Sequence, residues 1–262
     1  MTIIQSFIMG VIEGLTEFLP ISSTAHLIFT GEILKIPSSE FLKSFEISIQ
    51  LGAILSVVIL YWRRVWQNLN IIWKLAAAFI PTSVIGLIFY KLVKGYLMEN
   101  NLVIAISLLL GGIIIILFEN WYAKKNISET AVDTDLNAIT YKQAITLGVV
   151  QALAIIPGVS RAGATIIGGL AQGIKRKTIV EFSFLLAIPT MLAATALDIY
   201  KNPTVFSGSE LHLWLIGFIT SFITAIVGVK LLIKYVQKND FKIFGWYRII
   251  LGIIVLGIIF IS

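Results

Sequence analysis

Glu13 and Glu17 stand four residues apart in an otherwise apolar stretch, a spacing that puts both carboxylates on one face of a helix. Side by side at low dielectric they repel each other, so they need a cation, a shared proton or a guanidinium partner. Ligands made only of oxygen would suit a hard divalent ion, Mg2+ or Ca2+. Pro20, Ser22, Ser23, Thr24 and His26 follow at once. Ser and Thr ahead of an apolar run are helix N-cap residues, and the free N–H groups of such a helix start attract anions. A second stretch has the same form, with Gln151, Pro157, Gly158, Ser160, Arg161 and Thr165. There Gly158 permits close backbone approach, and the Arg161 fork matches phosphate oxygens. Two helix starts, one Arg and several hydroxyls at one depth describe a phosphate cradle. His26 is placed to be a general base or a nucleophile on phosphorus. The plainer alternatives are hydroxyls that only cap helices, a proton-sharing Glu pair, and structural roles for Arg161 and His26.

The elements that hold these residues must be membrane helices. Of 262 residues, 58% are apolar and 13% charged, with a net charge of +6 and a mean hydropathy of +0.94. Soluble domains carry about twice that share of charge. Disorder and broad nucleic-acid binding are excluded by the same figures, because basic residues are too few for a wide patch. There is no Cys, hence no disulfide, thiolate metal site or Cys nucleophile. No basic residue precedes the first apolar stretch, Ile3–Ile12, so a cleaved signal peptide is not expected.

Six stretches read as transmembrane helices: Phe45–Trp62, Leu75–Leu92, Leu102–Phe118, Phe182–Leu197, Leu213–Leu232 and Ile243–Ile261. Glu46 and Arg248 are taken to sit near span ends, within reach of the interface. Gln50 lies inside a span, as a bridge between helices or a further site residue. Trp62, Trp66, Trp73, Trp121, Trp214 and Trp246 fall near span ends as interfacial anchors. Ile3–Leu34 and Ala144–Ile174 are apolar but broken at their centres, and broken backbone at membrane depth must be buried in protein or line a cavity. Each is expected to be two half-helices in a re-entrant hairpin.

The two broken regions also repeat. Gly10-Val-Ile-Glu13-Gly-Leu aligns with Gly148-Val-Val-Gln151-Ala-Leu at an offset of 138, which Ser22 and Ser160 share. Phe45 with Phe182, Phe79-Ile80 with Phe218-Ile219, and Gly111 with Gly252 continue the series. The expected fold is an all-α polytopic membrane protein with an inverted-topology repeat, six transmembrane helices plus two re-entrant helix hairpins. Its first repeat covers 1–125 (hairpin 3–34 plus three spans), a linker covers 126–142, and the inverted second repeat covers 143–262 (hairpin 144–174 plus three spans). Three spans per half give the halves opposite orientations, with the site near the midplane. On this topology 14 basic residues, from Arg63 to Arg248, lie on one side. Five lie on the other: Lys35, Lys43, Lys91, Lys94 and Lys201. The positive-inside rule makes the richer side cytoplasmic, both termini external and the first hairpin open to the outer face.

Glu13-Gly-Leu-Thr-Glu17-Phe-Leu-Pro20-Ile-Ser22-Ser23-Thr24-Ala-His26 resembles the first signature of the undecaprenyl-diphosphate phosphatases of the bacitracin-resistance type. Pro157-Gly-Val-Ser160-Arg161-Ala-Gly-Ala-Thr165 resembles the second. Ala25 stands where Gly is usual, and Ala162 where Ser is usual. The resemblance covers essentially the whole chain. It implies a hydrolase of the bacterial plasma membrane that turns undecaprenyl diphosphate into undecaprenyl phosphate, recycling the lipid carrier of peptidoglycan synthesis and conferring bacitracin resistance. It also implies roles: Glu13 and Glu17 in metal binding or acid/base work with a divalent cation, and Ser23 or His26 as nucleophile. Arg161 would bind the diphosphate, with Ser160, Thr165, Ser22, Thr24 and Gly158 lining its pocket. The expected partners are a polyprenyl diphosphate lipid and the bilayer, with no nucleic acid; a homodimer is left open. The competing class is a polyprenyl-phosphate flippase or secondary transporter using the same midplane site.

Overall fold

A computed structural model describes residues 1–92, 96–97, 100–124, 135–202 and 210–261. Ten α-helices follow in chain order: α1 Ile3–Thr16, α2 Ser23–Ile33, α3 Glu40–Trp66, α4 Leu69–Leu92, α5 Asn101–Lys124, α6 Tyr141–Gln151, α7 Arg161–Ala171, α8 Arg176–Lys201, α9 Leu211–Val236 and α10 Lys242–Ile261. Short 3-10 turns lie at Leu136–Ala138 and Ala152–Ile155, and no strand occurs among the described residues. Six of the helices, α3, α4, α5, α8, α9 and α10, are long and apolar enough to cross a membrane. All six expected spans lie inside them. The helices outrun the apolar stretches because their ends continue through polar residues: Ser39 caps α3, and Arg63 and Arg64 close its last turn.

The broken regions form pairs of short helices. α1 has 14 residues and α2, α6 and α7 have 11 each. At 1.5 Å per residue none reaches across a hydrocarbon core of about 30 Å. Local chemistry sets the start of each helix in the same way in both pairs, while α6 gives way to a 3-10 turn at Ala152 where α1 continues to Thr16. Thr2 with Gln5 and Thr140 with Gln143 form capping boxes at the starts of α1 and α6. Gln5 then donates to Leu34 O and Gln143 to Gln172 O, closing each pair on itself. Ser22 and Ser160 cap α2 and α7 with φ of 71° and 73°, and each hydroxyl accepts an N–H three residues on. All of these correspondences share the offset of 138.

Packing between helices is reciprocal as well: α1 lies on α9 and α6 on α4, α3 packs on α8 and on α9, and α5 packs on α10. Small residues allow the close approaches. A Cβ on Gly10 would meet Gly217 O at 2.6 Å, and one on Gly148 would run into the Ala78 carbonyl of α4. The main apolar core joins Phe18, Ala53, Val57, Phe182, Phe184 and Leu186 between these layers.

Residues 126–134 of the expected linker, with Lys94, Lys125 and the side chain of Lys91, lie outside the described residues. Thr140 caps α6 at Tyr141, two residues ahead of the expected start of the second half. The basic-residue distribution needs a correction. Arg248, counted with the loops, is 1% exposed and buried inside the helix assembly. Its five N–H groups all find backbone carbonyls there. Lys74, counted with the same side, is buried and donates to Asn137 O at 2.8 Å.

Candidate active site

The two breaks meet. α1 ends at Glu17, whose N–H closes its last turn on Glu13 O. Pro20, with no N–H to offer, follows the helix, and the chain turns at Ser22 to begin α2. The second break comes through the 3-10 turn at Ala152–Ile155, Pro157 and Gly158, and turns at Ser160 to begin α7. A small polar pocket lies between them, lined by Glu17, Ser22, Ser23, Thr24, Ser160 and Arg161, with Gly158 at its wall. Gly158 has φ of +92°, and a Cβ there would meet Ile104 O at 2.7 Å, so only glycine fits without strain.

A chain of charge-assisted bonds runs through the pocket. Arg161 Nη2 donates to Glu17 Oε1 at 2.8 Å, and Ser23 Oγ donates to Glu17 Oε2 at 2.5 Å. Arg161 Nη1 donates to Ser183 O at 2.7 Å, and the guanidinium lies 5.8 Å from the Phe18 ring centroid. The Arg161 Nε–H is buried without a partner. Glu13 is fully buried one turn below Glu17, and neither of its carboxylate oxygens has a hydrogen-bond partner. Two orphaned carboxylate oxygens beside a second carboxylate are hard-oxygen donor chemistry, and the residues present fit a divalent cation on that count. Among the described residues no cluster of three or more Asp, Glu, His or Cys forms. A cation here would therefore rest on Glu13, Glu17 and non-carboxylate oxygens.

Three expected site residues do not line the pocket: Glu13, buried below it, and His26 and Thr165, which go elsewhere. His26, expected beside Ser23, is turned toward α10. Its Nδ1–H donates to Ser22 O at 2.7 Å, a tautomer assigned because a carbonyl can only accept. Its Nε2 then accepts the Tyr247 hydroxyl at 2.7 Å, with the two rings stacked 5.6 Å apart. The imidazole is thus committed on both nitrogens and does not line the pocket. Thr165, expected on the pocket wall, is fully buried behind it; its hydroxyl donates to Arg161 O at 2.9 Å and contacts Gln151 Oε1 at 3.4 Å. In both cases the i, i+4 carbonyl of the helix's own first turn captures the side chain.

A larger cavity of about 1030 Å³ lies alongside, between α2, α3, α4 and α8. Its walls are mostly apolar, with Ile47, Phe79, Leu87 and Leu197, and Glu46 and Gln50 face it. Ile155 lines this cavity while its neighbours Ala154 and Ile156 line the small pocket, so one 3-10 turn separates the two. Sequence reasoning missed Tyr247 and Arg248. The signal for Arg248 was its place inside the apolar α10, two turns from its start.

The family described as "Bacitracin resistance protein BacA" matches residues 6–254. The chain belongs to this family. It is 50% identical over 254 residues to a protein of Aquifex aeolicus named undecaprenyl-diphosphatase, covering 97% of each chain. Identically named proteins of Flavobacterium johnsoniae and Campylobacter jejuni are 46% and 49% identical. Those matches cover 99% and 96% of this chain, and 97% and 92% of the relatives. The residues of both breaks, Glu13 to His26 and Pro157 to Thr165, fall inside the span matched to the BacA family.

Proposed function

We propose that this chain hydrolyses undecaprenyl diphosphate to undecaprenyl phosphate and inorganic phosphate, with Ser23 as nucleophile. The observation that carries the reading is the buried contact series Ser23–Glu17–Arg161, set between two helix starts. Ser23 Oγ attacks the terminal phosphorus and its proton passes to Glu17 Oε2, which it already touches. The bond from that phosphorus to the bridging oxygen breaks, and undecaprenyl phosphate leaves. Water then attacks the phosphoserine and phosphate departs, restoring the hydroxyl. Arg161 offers its unpartnered Nε–H to a phosphate oxygen, and the free N–H groups of the first turns of α2 and α7 add fixed positive dipole. Glu13 and Glu17 would hold a divalent cation such as Mg2+ or Ca2+, whose charge offsets that of the diphosphate. The apolar cavity beside the pocket gives the isoprenoid chain a place next to its headgroup.

The same reading extends to topology. The short pairs α1/α2 and α6/α7 are re-entrant, and the shared capping, the positive φ at both Ser22 and Ser160 and the reciprocal packing support an inverted repeat. With the basic-rich loops cytoplasmic, both termini and the pocket mouth face outward, in the bacterial plasma membrane. Hydrolysis there returns the carrier lipid to peptidoglycan synthesis and removes the diphosphate form, which accounts for resistance to bacitracin. Reciprocal packing of broken helices is also transporter architecture, so passage of polyprenyl phosphate through the same site is the second reading.

Purified protein in detergent should release phosphate from undecaprenyl diphosphate, and chelator should suppress the release. No release in either condition would remove the hydrolase reading. Movement of labelled polyprenyl phosphate across liposomes by Ser23→Ala protein would then favour the carrier.

A further inference from the structure

Arg248 is the largest fully buried side chain of the described residues, and it forms no ion pair among them. Every donor of its guanidinium goes to main chain. Nη1 reaches Pro20 O at 3.2 Å and Val159 O at 2.9 Å, Nη2 reaches Gly158 O at 2.8 Å and Ser107 O at 3.0 Å, and Nε reaches Leu108 O at 3.4 Å. Three of those carbonyls belong to the two breaks and two to α5. One side chain on α10 therefore ties both breaks to each other and to the helix behind them. α5 makes room for it with Gly111, where a Cβ would collide with Arg248 Nη2.

The grip has a consequence inside the pocket. In a trans peptide the C=O and the following N–H point in opposite directions. With Val159 O held by Arg248, the Ser160 N–H points away from the arginine, and Ser160 is one of the residues that line the pocket. No described residue accepts that N–H, whereas the neighbouring Val159 N–H is spent on Ile156 O. The left-handed backbone at Ser160 is the strained turn that such a hold stabilises.

We propose that Arg248 is a positioning residue of the anion pocket: its five carbonyl bonds lock the two breaks together and aim the Ser160 amide at a phosphate oxygen. The proposal rests on the phosphatase reading for its substrate, but its test does not need turnover. Lysine offers three donors on a flexible stem and cannot replace five in a planar fork. Gly111→Ala leaves the arginine in place and displaces its head. Binding of inorganic pyrophosphate to full-length protein in detergent, measured by titration calorimetry, is the direct probe. Both Arg248→Lys and Gly111→Ala should weaken it about tenfold, the scale of one charge-assisted hydrogen bond. KM for polyprenyl diphosphate should rise by a similar factor. A merely structural arginine would lower the amount of folded protein and leave the dissociation constant and KM of the folded fraction unchanged. That result, or loss of folded protein in both variants, would overturn the proposal. Unmodified protein that binds pyrophosphate but releases no phosphate would overturn the phosphatase reading alone.

Discussion

Ser23 and Arg161 meet on the two oxygens of Glu17, and under the proposed mechanism substitution of either has its own signature. Ser23→Ala removes the oxygen proposed to attack and one neutral donor to Glu17; phosphate release should be lost while the thermal midpoint stays within a few degrees. Arg161→Ala leaves Glu17 buried with one oxygen unmatched. Breaking a buried pair costs about 3–5 kcal/mol, so a lower midpoint should accompany lost turnover, and Arg161→Lys should restore the midpoint more than the rate. His26→Ala separates two accounts of the histidine. Both ring nitrogens are spent on Ser22 O and Tyr247, so the variant should keep measurable phosphate release. A loss as complete as that of Ser23→Ala would put the imidazole back into the chemistry. The sequence showed which residue types were present here but not their partners. His26 and Ser23 sit three apart on one helix, and the imidazole is held away by the Ser22 carbonyl of its own first turn and by Tyr247 of α10.

Helix ends and helix contacts set the site at the next scale. Ser160 satisfies the Gly163 N–H at the start of α7, so Ser160→Ala should cost about 1 kcal/mol, visible as a lower midpoint. Gly14 is different, because the contact is with a neighbouring helix: a Cβ there would run into the Ser221 carbonyl and Thr224 of α9. Gly14→Val should push α1 off α9 and carry Glu13 and Glu17 with it, lowering both yield and turnover. Although the long helices run past the expected spans, the starts of α2 and α7 were legible in advance, since Ser, Pro and Gly mark them locally. The pairing of α1 with α9 and of α6 with α4 was not, because a stripe of small residues names no partner.

For the molecule as a whole, an absent residue is useful. The chain has no Cys, so single cysteines near residue 2, at Asn68 and at Asn239 report sidedness without background. In intact cells a membrane-impermeant thiol reagent should label the first and spare the other two. The reverse pattern would invert the proposed topology and place the pocket mouth at the cytoplasm. Arg176 and Glu119 form a second buried pair, with Nη1 and Nη2 on the two carboxylate oxygens and the Phe241 N–H on one of them. This joins α5 and α8 to the residue that precedes α10.

The sequence by itself determined the six apolar helices, the two breaks, their common pattern and the family chemistry they resemble. Each of these is a local property of hydropathy, helix-capping chemistry or ordered motif. Only the tertiary structure decided which polar groups meet. It put Glu17 between Ser23 and Arg161, sent His26 to Tyr247, hid Thr165 behind the pocket and drew Arg248 out of the loops and into the core. The physical reason lies in the acceptors. Arg248 is satisfied entirely by backbone carbonyls, and a carbonyl is present at every position, so no side-chain pattern announces it until the helices are packed.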